Sequence, residues 1–449
     1  MKIKFLVFVL IIWSQLSFGQ FEFSGSATLE GYYTENEALP FWFYSNQRGR
    51  ISENTNLAAW VNARTSYESS EKSSFEIGAG FFYNDNSSNK IYIDELYAQY
   101  NYKFLSLIAG SKHEKDLYNG LSASNENILW SLNSRAIPGF KIETSRPVYF
   151  SSQERLGLEF YWSESYLGDN PGAENVRLHH KQVQLLYNLN ENWQFKASLR
   201  HFVQWGGISE RFGTQPSGFT DYLKVITGRG GGENSIESDQ ANALGNHLGS
   251  WIFSVKRQGK NSSVKFLFNN LFEDGSGSRL ANFPDGRYTF FYESSNSEKV
   301  INSLLYEFYY TKDQSKTGPH LYDNYFNNGV YPFGWTYKGR VIGSPFFTYH
   351  SEYNYIINNK FLAHHIGLSG QLSIFDNLIP YKFMVSYSNN EGLYSVPSGI
   401  DELNEDRLSY YAEVKVLRMP IQLNFLFGAD FNSDSSNNIG AGISISKHF

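Results

Sequence analysis

Eight polar and aromatic residues in the middle of the chain combine two kinds of binding chemistry. Guanidinium and ammonium groups bind carboxylates through charge-assisted hydrogen bonds, and aromatic rings pack on the faces of sugars. Together, such side chains could bind an acidic polysaccharide. Each of them could instead balance an internal acid or anchor the protein at a membrane interface. The eight residues are Arg200, Gln204, Arg211, Arg229, Trp335, Tyr337, Lys338 and Arg340.

Histidine pairs and a glycine run are weaker candidates for a metal or phosphate site. His179 and His180 are adjacent, as are His364 and His365. Neighbouring residues of a strand point to opposite faces, so neither pair can close on one metal ion without other ligands. The glycine-rich run at 228–232 lacks the Lys-Ser/Thr pair and the helix that a phosphate-binding loop requires. We interpret it as a flexible loop.

Signatures of catalysis are missing from the sequence. It contains neither a G-x-S-x-G elbow nor an H-E-x-x-H pair, so hydrolysis has no local motif, although a triad assembled from separate strands stays open. Four acids crowd 401–406 and could hold Ca²⁺, but the EF-hand spacing is absent and a solvated loop is favoured. We expect no enzyme activity and no cofactor.

The elements that would position these residues are amphipathic strands. Apolar and polar residues alternate with a period of two from Phe21 to Tyr33, which is typical of a strand with one apolar face. The clearest segment runs from Trp193 to Trp205, where His201 is the one polar residue on the apolar side. Twelve steps of ~3.3 Å at a tilt of ~45° span roughly 28 Å, which predicts that the two tryptophans lie in the two aromatic girdles of a membrane barrel. Further strands are predicted at 57–67, 75–83, 96–102, 156–162, 300–310, 362–374, 408–416, 421–429 and 439–449.

Short and long connections alternate between these strands. Short periplasmic turns and long extracellular loops are the pattern of outer-membrane barrels. A first count gives about nineteen strands, but bacterial single-chain barrels have even numbers. If 346–357 belongs to a large external loop from Lys312 to Asn359, the fold is all-β, a transmembrane antiparallel barrel of about 18 strands. The short turns are at 68–73, 188–192, 257–262, 375–377 and 417–420, and the long segments at 34–56, 113–138, 206–246, 312–343 and 389–406.

The chain ends and the composition indicate the compartment. Lys2 and Lys4 precede an apolar stretch, and small residues precede Gln20, so residues 1–19 are predicted to be a signal peptide and 20–449 the outer-membrane barrel. Aromatic residues make up 17% of the chain although the mean hydropathy is −0.42, as alternating lipid-facing and lumen-facing positions produce. The formal charge of −6 gives no basic field for nucleic acid, and none of the 449 residues is cysteine.

Five short motifs carry a resemblance to a known family. They are Leu121–Ser124, Asn133–Pro138, Leu178–Lys181, Gln204–Gly207 and Gly245–Gly249, with weaker matches at 337–343 and in the glycine-rich last strand. Together these motifs resemble the Wzi-type capsule assembly proteins, in the branch found in Bacteroidetes-like bacteria. The resemblance implies a barrel of about 18 strands that retains capsular or extracellular polysaccharide at the cell surface without turnover. The terminal Phe449 is similar to the signal that the barrel insertion machinery reads.

Three classes of protein follow from these observations. The expected one is an outer-membrane, polysaccharide-binding protein, with a porin-like diffusion channel as the alternative and a barrel enzyme acting on lipid or glycan less favoured. The expected partners are the polysaccharide, outer-membrane lipid and lipopolysaccharide, and the insertion machinery, with no nucleic acid. The barrel is expected to be a monomer.

Overall fold

The computed structural model describes residues 21–86, 91–273, 275, 277–318, 321–375, 377–417 and 420–449. The predicted signal peptide lies outside the described residues. Among the helices in the described part of the chain, none has the length and hydropathy of a membrane-spanning helix.

Strands of the described residues form a closed antiparallel barrel. Each of the 18 barrel strands pairs with the next along the chain, and the first also pairs with the last, where Gly31 lies opposite Ile443. The backbone of Phe449 continues this pairing through two hydrogen bonds with Gly25. The strands are β1 Phe21–Thr34, β2 Leu57–Ser70, β3 Ser73–Asn84, β4 Ile91–Tyr102, β5 Leu105–Ser111, β6 Gly139–Thr144, β7 Leu156–Asn170, β8 Ala173–Asn190, β9 Trp193–Trp205, β10 Asn246–Gln258, β11 Ser262–Asn269, β12 Gly286–Ser294, β13 Ser303–Tyr310, β14 Phe361–Ile374, β15 Asn377–Asn390, β16 Glu405–Leu417, β17 Gln422–Asn432 and β18 Asn438–His448.

The connections confirm the predicted topology. The long loops all leave one end of the barrel, here called external, as do the short turns at 171–172 and 433–437. Phe21 and Phe449 lie at the other end, here called periplasmic. Thr348–His350 pairs with Tyr355–Asn358 in a separate hairpin inside the 311–360 loop. The segment 346–357 is therefore outside the barrel wall, as the even strand number required. The long external loops are 35–56, 112–138, 206–245, 270–285, 311–360 and 391–404.

Side chains alternate between the two faces of the wall. On β9, Phe195 is 41% exposed on the outer face, whereas Phe202 is fully buried on the lumen side. One part of the prediction for this strand is wrong. Trp193 is exposed at the periplasmic end as a girdle residue would be, but Trp205 is only 4% exposed because the loop that follows it folds back over its ring. The apolar band of β9 thus ends before Trp205.

Three external loops fold into the barrel and fill its external half. We call their inward parts, from 39–51, 118–137 and 325–347, the plug. Helix α1, Phe41–Tyr44, packs there, and Trp42 is buried beside His365 with ring centroids 5.0 Å apart. Plug side chains and lumen-facing wall side chains such as Phe202 form one continuous hydrophobic core. Two more short helices, α2 Phe219–Thr227 and α3 Glu237–Ala241, lie in the 206–245 loop.

A buried ion pair fixes the plug to the wall. Arg287 of β12 lies 3.3 Å from Glu307 of β13, and both side chains are fully buried. Arg287 donates to the carbonyls of Asn125 and Glu126, while Glu307 accepts from the Ala123 backbone N–H. Buried charges are tolerated only when they are paired and hydrogen-bonded. Because Arg287 and Glu307 both form hydrogen bonds with the segment 121–126, the pair holds this segment in place. The Leu121–Ser124 motif is thus an anchor of the plug.

Candidate functional site

Three of the eight candidate residues are buried within the plug or against it. Gln204 is fully buried, donates to the Gly334 carbonyl at 3.0 Å and accepts from Asn246 at 2.7 Å. Trp335 is also fully buried and donates from Nε1 to the Leu129 carbonyl at 2.7 Å, and Tyr337 is 7% exposed. Their rings and amide are occupied by protein contacts. The expectation that Trp335 and Tyr337 pack on sugar rings is corrected, because no face of Trp335 is open to a ligand.

Arg200 also has an internal partner. Its guanidinium lies on the lumen side of β9, and Nη2 is 3.5 Å from Glu126 Oε2, while Glu126 Oε1 contacts Lys265 at 3.2 Å. Glu126 belongs to the plug loop and both basic side chains belong to the wall. The three charges hold the loop to the wall, so Arg200 is placed with the structural residues.

The other four candidates reach the external surface. Arg211 and Arg229 are exposed on the 206–245 loop. Lys338 is exposed at the tip of a small hairpin in which Thr336–Tyr337 pairs with Arg340–Val341. Lys338 and Gly339 both have positive φ there, as a two-residue hairpin turn requires. Arg340 is half-buried and donates to the Ile51 carbonyl at 2.8 Å, so it has less freedom to bind a ligand.

A cluster of lysines and tyrosines at the external end was missed by the sequence analysis. The ammonium of Lys316 lies 3.7 Å from the ring centroid of Tyr394, and that of Lys360 lies 4.7 Å from it. Tyr322 packs against the same ring at 5.1 Å, and Glu391 pairs with Lys360 at 3.3 Å. We call Lys316, Tyr322, Lys360 and Tyr394 the lysine–tyrosine patch. Three separate chain segments build it, so no local motif could have predicted it.

The periplasmic half of the lumen contains a polar cavity. It measures about 720 Å³ and lies between the plug and the C-terminal Phe449, with Arg64, Lys112 and Glu143 also in its lining. Lys112 pairs with Glu76 at 2.8 Å, whereas Arg64 donates to Ser24. The cavity is therefore lined by charged side chains of both signs.

The two members of each histidine pair point to opposite sides of the wall, as expected. His180 stacks on Phe202 in the lumen at 4.0 Å, while His179 lies outside, 2.5 Å from Glu164. His365 contacts the Leu121 carbonyl in the plug, and His364 contacts Tyr306 on the outer face.

Acids of the 401–406 loop also separate. Asp401 accepts from Tyr353, Glu405 pairs with Arg407, and Asp406 accepts from Asn389. These three carboxylates bind protein groups in different directions, which does not favour a shared Ca²⁺.

Comparison with known proteins gives a likeness in fold. No family model and no curated protein matches the sequence. The structure is similar to Wzi of Escherichia coli, described as an outer-membrane, carbohydrate-binding β-barrel involved in group 1 capsule assembly, with a TM-score of 0.61 and 12% identity over 98% of this chain and 87% of that one. The fold is that of an outer-membrane β-barrel. At this identity the likeness concerns the fold alone.

Barrels from another organism are also similar in shape. OccK5 of Pseudomonas aeruginosa aligns at a TM-score of 0.49 with 9% identity, over 95% of this chain and 98% of that one. OccK10 of the same organism also has a TM-score of 0.49, with 8% identity over 96% of this chain and 99% of that one.

Proposed function

We propose that this outer-membrane barrel binds and retains capsular or extracellular polysaccharide at the cell surface without turnover. The observation that carries the proposal is the plug, which fills the external half of the lumen with packed apolar side chains. A barrel closed in this way presents its loops as a fixed surface. The fold likeness to a carbohydrate-binding barrel supports the same function.

A diffusion channel is the alternative that the plug disfavours. A porin needs a water-filled lumen lined by polar side chains across the whole membrane. Here Trp335, Phe202 and Trp42 are buried across the external half. Removing them from the path would require the breaking of a packed core as well as the Arg287–Glu307 pair. We expect the native protein to show no stable conductance in planar bilayers.

A barrel enzyme finds little support in the contacts between possible catalytic groups. Ser386 Oγ lies 2.7 Å from His365 Nδ1, the distance at which a base could activate a nucleophile. Both residues are buried, Trp42 donates to the same hydroxyl, and the other histidine nitrogen is used by the Leu121 carbonyl. The pair therefore holds the plug, and no substrate could reach it without displacing Trp42.

Binding would rest on exposed cations and on the lysine–tyrosine patch. Arg211, Arg229 and Lys338 have no carboxylate partner among the described residues. Exposed contacts of this kind are each weak, at about 1 kcal/mol or less. A repeating polymer meets several of them at once, and the high effective concentration after the first contact raises the total affinity. The patch adds tyrosine rings, on which sugar faces can pack.

The experiment compares cell-bound with shed polysaccharide at matched barrel abundance. Changing Arg211, Arg229 and Lys338 together to Ala should release polymer into the medium and lower the salt sensitivity of binding. The matched control changes Lys72, Lys260 and Lys299, three exposed lysines of periplasmic turns, to Ala. The control should retain polymer normally.

A second variant tests the patch separately. Changing Lys316 and Tyr322 to Ala removes one ammonium and one ring while leaving the Lys360–Glu391 pair. We expect further loss of polymer when this change is added to the triple variant. If the combined variant retains polymer like the control, the proposed surface is wrong. If deletion of the entire chain also leaves retention unchanged, the function itself is wrong.

A further inference from the structure

Part of the 206–245 loop covers the outer side of the barrel wall. The Tyr222 ring of helix α2 lies 5.3 Å from Trp205 and 5.8 Å from His179, both on the outer face. Tyr222 packs against a small apolar cluster that includes Val203 and Val225, separate from the plug. Helix α2 therefore occupies a place where lipid would otherwise contact β8 and β9.

Polar outer-face side chains explain why this region of the wall is covered. His179 contacts Glu164 at 2.5 Å, and His201 contacts His247 at 2.8 Å. Lys181 donates to the Ile226 carbonyl at the end of α2. Charged and polar groups on the lipid face destabilise a barrel, increasingly so with depth. Neighbouring wall strands give His179 and His201 their partners, while the loop contributes the Ile226 carbonyl to Lys181 and the Leu244 carbonyl to His247. These contacts account for His201 as an exception on the apolar face of β9.

Helix α2 in turn presents apolar residues of its own. Phe219 is 77% exposed and Leu223 is 44% exposed, and their spacing of four places them on the same side of the helix. Lys224 lies on a different flank. Below the helix on β8, Val183 and Leu185 of the lipid-facing wall are 54% and 47% exposed. The apolar side of the helix therefore continues the apolar band of the barrel.

Three cations surround the helix without a carboxylate partner. Arg177 lies over the Trp205 ring at 5.0 Å, near the start of α2, and its Nη1 is 3.5 Å from the Ser217 carbonyl. Lys181 lies at the end of the helix, and Lys224 on its flank. Within the described residues none of the three forms a salt bridge. An apolar side flanked by cations suits an interface helix bound to anionic lipid.

We propose that α2 lies in the external leaflet of the membrane, with Phe219 and Leu223 among acyl chains and with Arg177 and Lys224 bound to phosphorylated lipid head groups. The occupant is thus membrane lipid. Acyl chains fit the exposed apolar side of the helix, because that side continues the apolar band of the wall. A phosphate group fits the three cations, because they lack carboxylate partners. This lipid site does not rest on the proposed polysaccharide binding.

The depth of the helix can be measured in the full-length barrel. The chain has no cysteine, so Phe219→Cys, Leu223→Cys and Lys224→Cys can each carry one nitroxide label. In vesicles of phosphatidylcholine with phosphatidylglycerol, labels at 219 and 223 should be relaxed mainly by oxygen, and the label at 224 mainly by a water-soluble nickel complex. Equal exposure of all three to nickel would place the helix in water. Low exposure of 219 and 223 to both reagents would indicate a protein partner, and either result would overturn the proposal.

The head-group contact has its own test. A fluorophore attached to the single thiol of the Leu223→Cys variant is quenched by brominated phosphatidylglycerol or, in parallel, by brominated phosphatidylcholine. The anionic lipid should be preferred, and each cation removed by Arg177→Gln or Lys224→Gln should lower the preference about fivefold. Lys224→Arg is the matched control and should keep it. Equal quenching by both lipids, or loss of the preference in buffer with inorganic phosphate, would overturn the lipid assignment.

Discussion

Side chains alternate between lumen and outer face in both halves of the barrel, but the external half of the lumen is filled whereas the periplasmic half contains a cavity. In the external half, lumen-facing residues such as Phe202 pack against loop residues such as Trp335, and both are fully buried. In the periplasmic half, Arg64 and Lys112 line a cavity of about 720 Å³. The difference lies in the loops, because the turns at the periplasmic end are too short to enter the barrel. The wall makes a tube, and only the external loops close it.

Ion pairs in the two halves show the same contrast. Arg287 and Glu307 are fully buried and hold the plug, whereas the side chains of Lys112 and Glu76 are 25% and 21% exposed. Removing one partner of a buried pair lowers the free energy of unfolding by several kcal/mol, whereas a solvated pair contributes ~1 kcal/mol or less to it. The two pairs therefore predict different consequences for equivalent changes.

The largest expected effect is that of Arg287→Ala. It leaves the Glu307 carboxylate buried without its cation, which costs about 3–5 kcal/mol. The plug should loosen, so the urea midpoint of unfolding should fall, the 112–138 loop should become sensitive to protease, and conductance should appear in planar bilayers.

A double variant is the control for this change. Arg287→Met with Glu307→Leu removes both charges and should recover part of the lost stability. It will not recover all, because Glu307 also accepts from Tyr309 and from the Ala123 backbone. A normal midpoint and no conductance in Arg287→Ala would show that the pair does not hold the plug.

A pH dependence should come from Asp285 in the 270–285 loop. Burial raises the pKa of its carboxyl to about 7, above the ordinary 3.8. Between about pH 4 and pH 7 the folded protein therefore binds a proton that the unfolded chain has lost, so stability should fall as the pH rises through this window and level off above it. In Asp285→Asn, the urea midpoint of unfolding should vary less with pH across this window. A profile that stays unchanged in the variant would contradict this assignment.

Gln204 distinguishes a structural residue from a binding residue. Gln204→Leu leaves the Gly334 carbonyl and the Asn246 amide without their partner, which costs about 1–3 kcal/mol. We expect a lower unfolding midpoint but normal polysaccharide retention once barrel abundance is matched. If the variant lost polysaccharide retention at matched abundance while its unfolding midpoint stayed normal, Gln204 would be a binding residue.

The sequence predicted the wall better than it predicted the candidate site, for physical reasons. Period-two alternation predicted the bounds of β9, from Trp193 to Trp205. Successive residues of a wall strand face lipid and lumen in turn, so each residue contributes to a pattern that can be seen in the local sequence. The burial of Trp335 and the covering of Trp205 depend on how loops distant in sequence pack, which leaves no local pattern. Arg211 and Lys338 were placed correctly at the external end because loop position alone required it.

The smallest expected effect belongs to the periplasmic half, where Lys112→Met removes the charge but keeps most of the apolar stem. Because Lys112 and Glu76 are both partly solvated, the free energy of unfolding should fall by about 1 kcal/mol or less. A double-mutant cycle with Glu76→Gln isolates the coupling between the two side chains, and high salt should reduce it. Plug protection from protease should not change. A loss as large as that of Arg287→Ala would mean that the periplasmic half is as tightly packed as the external one, and the contrast between the two halves would fail.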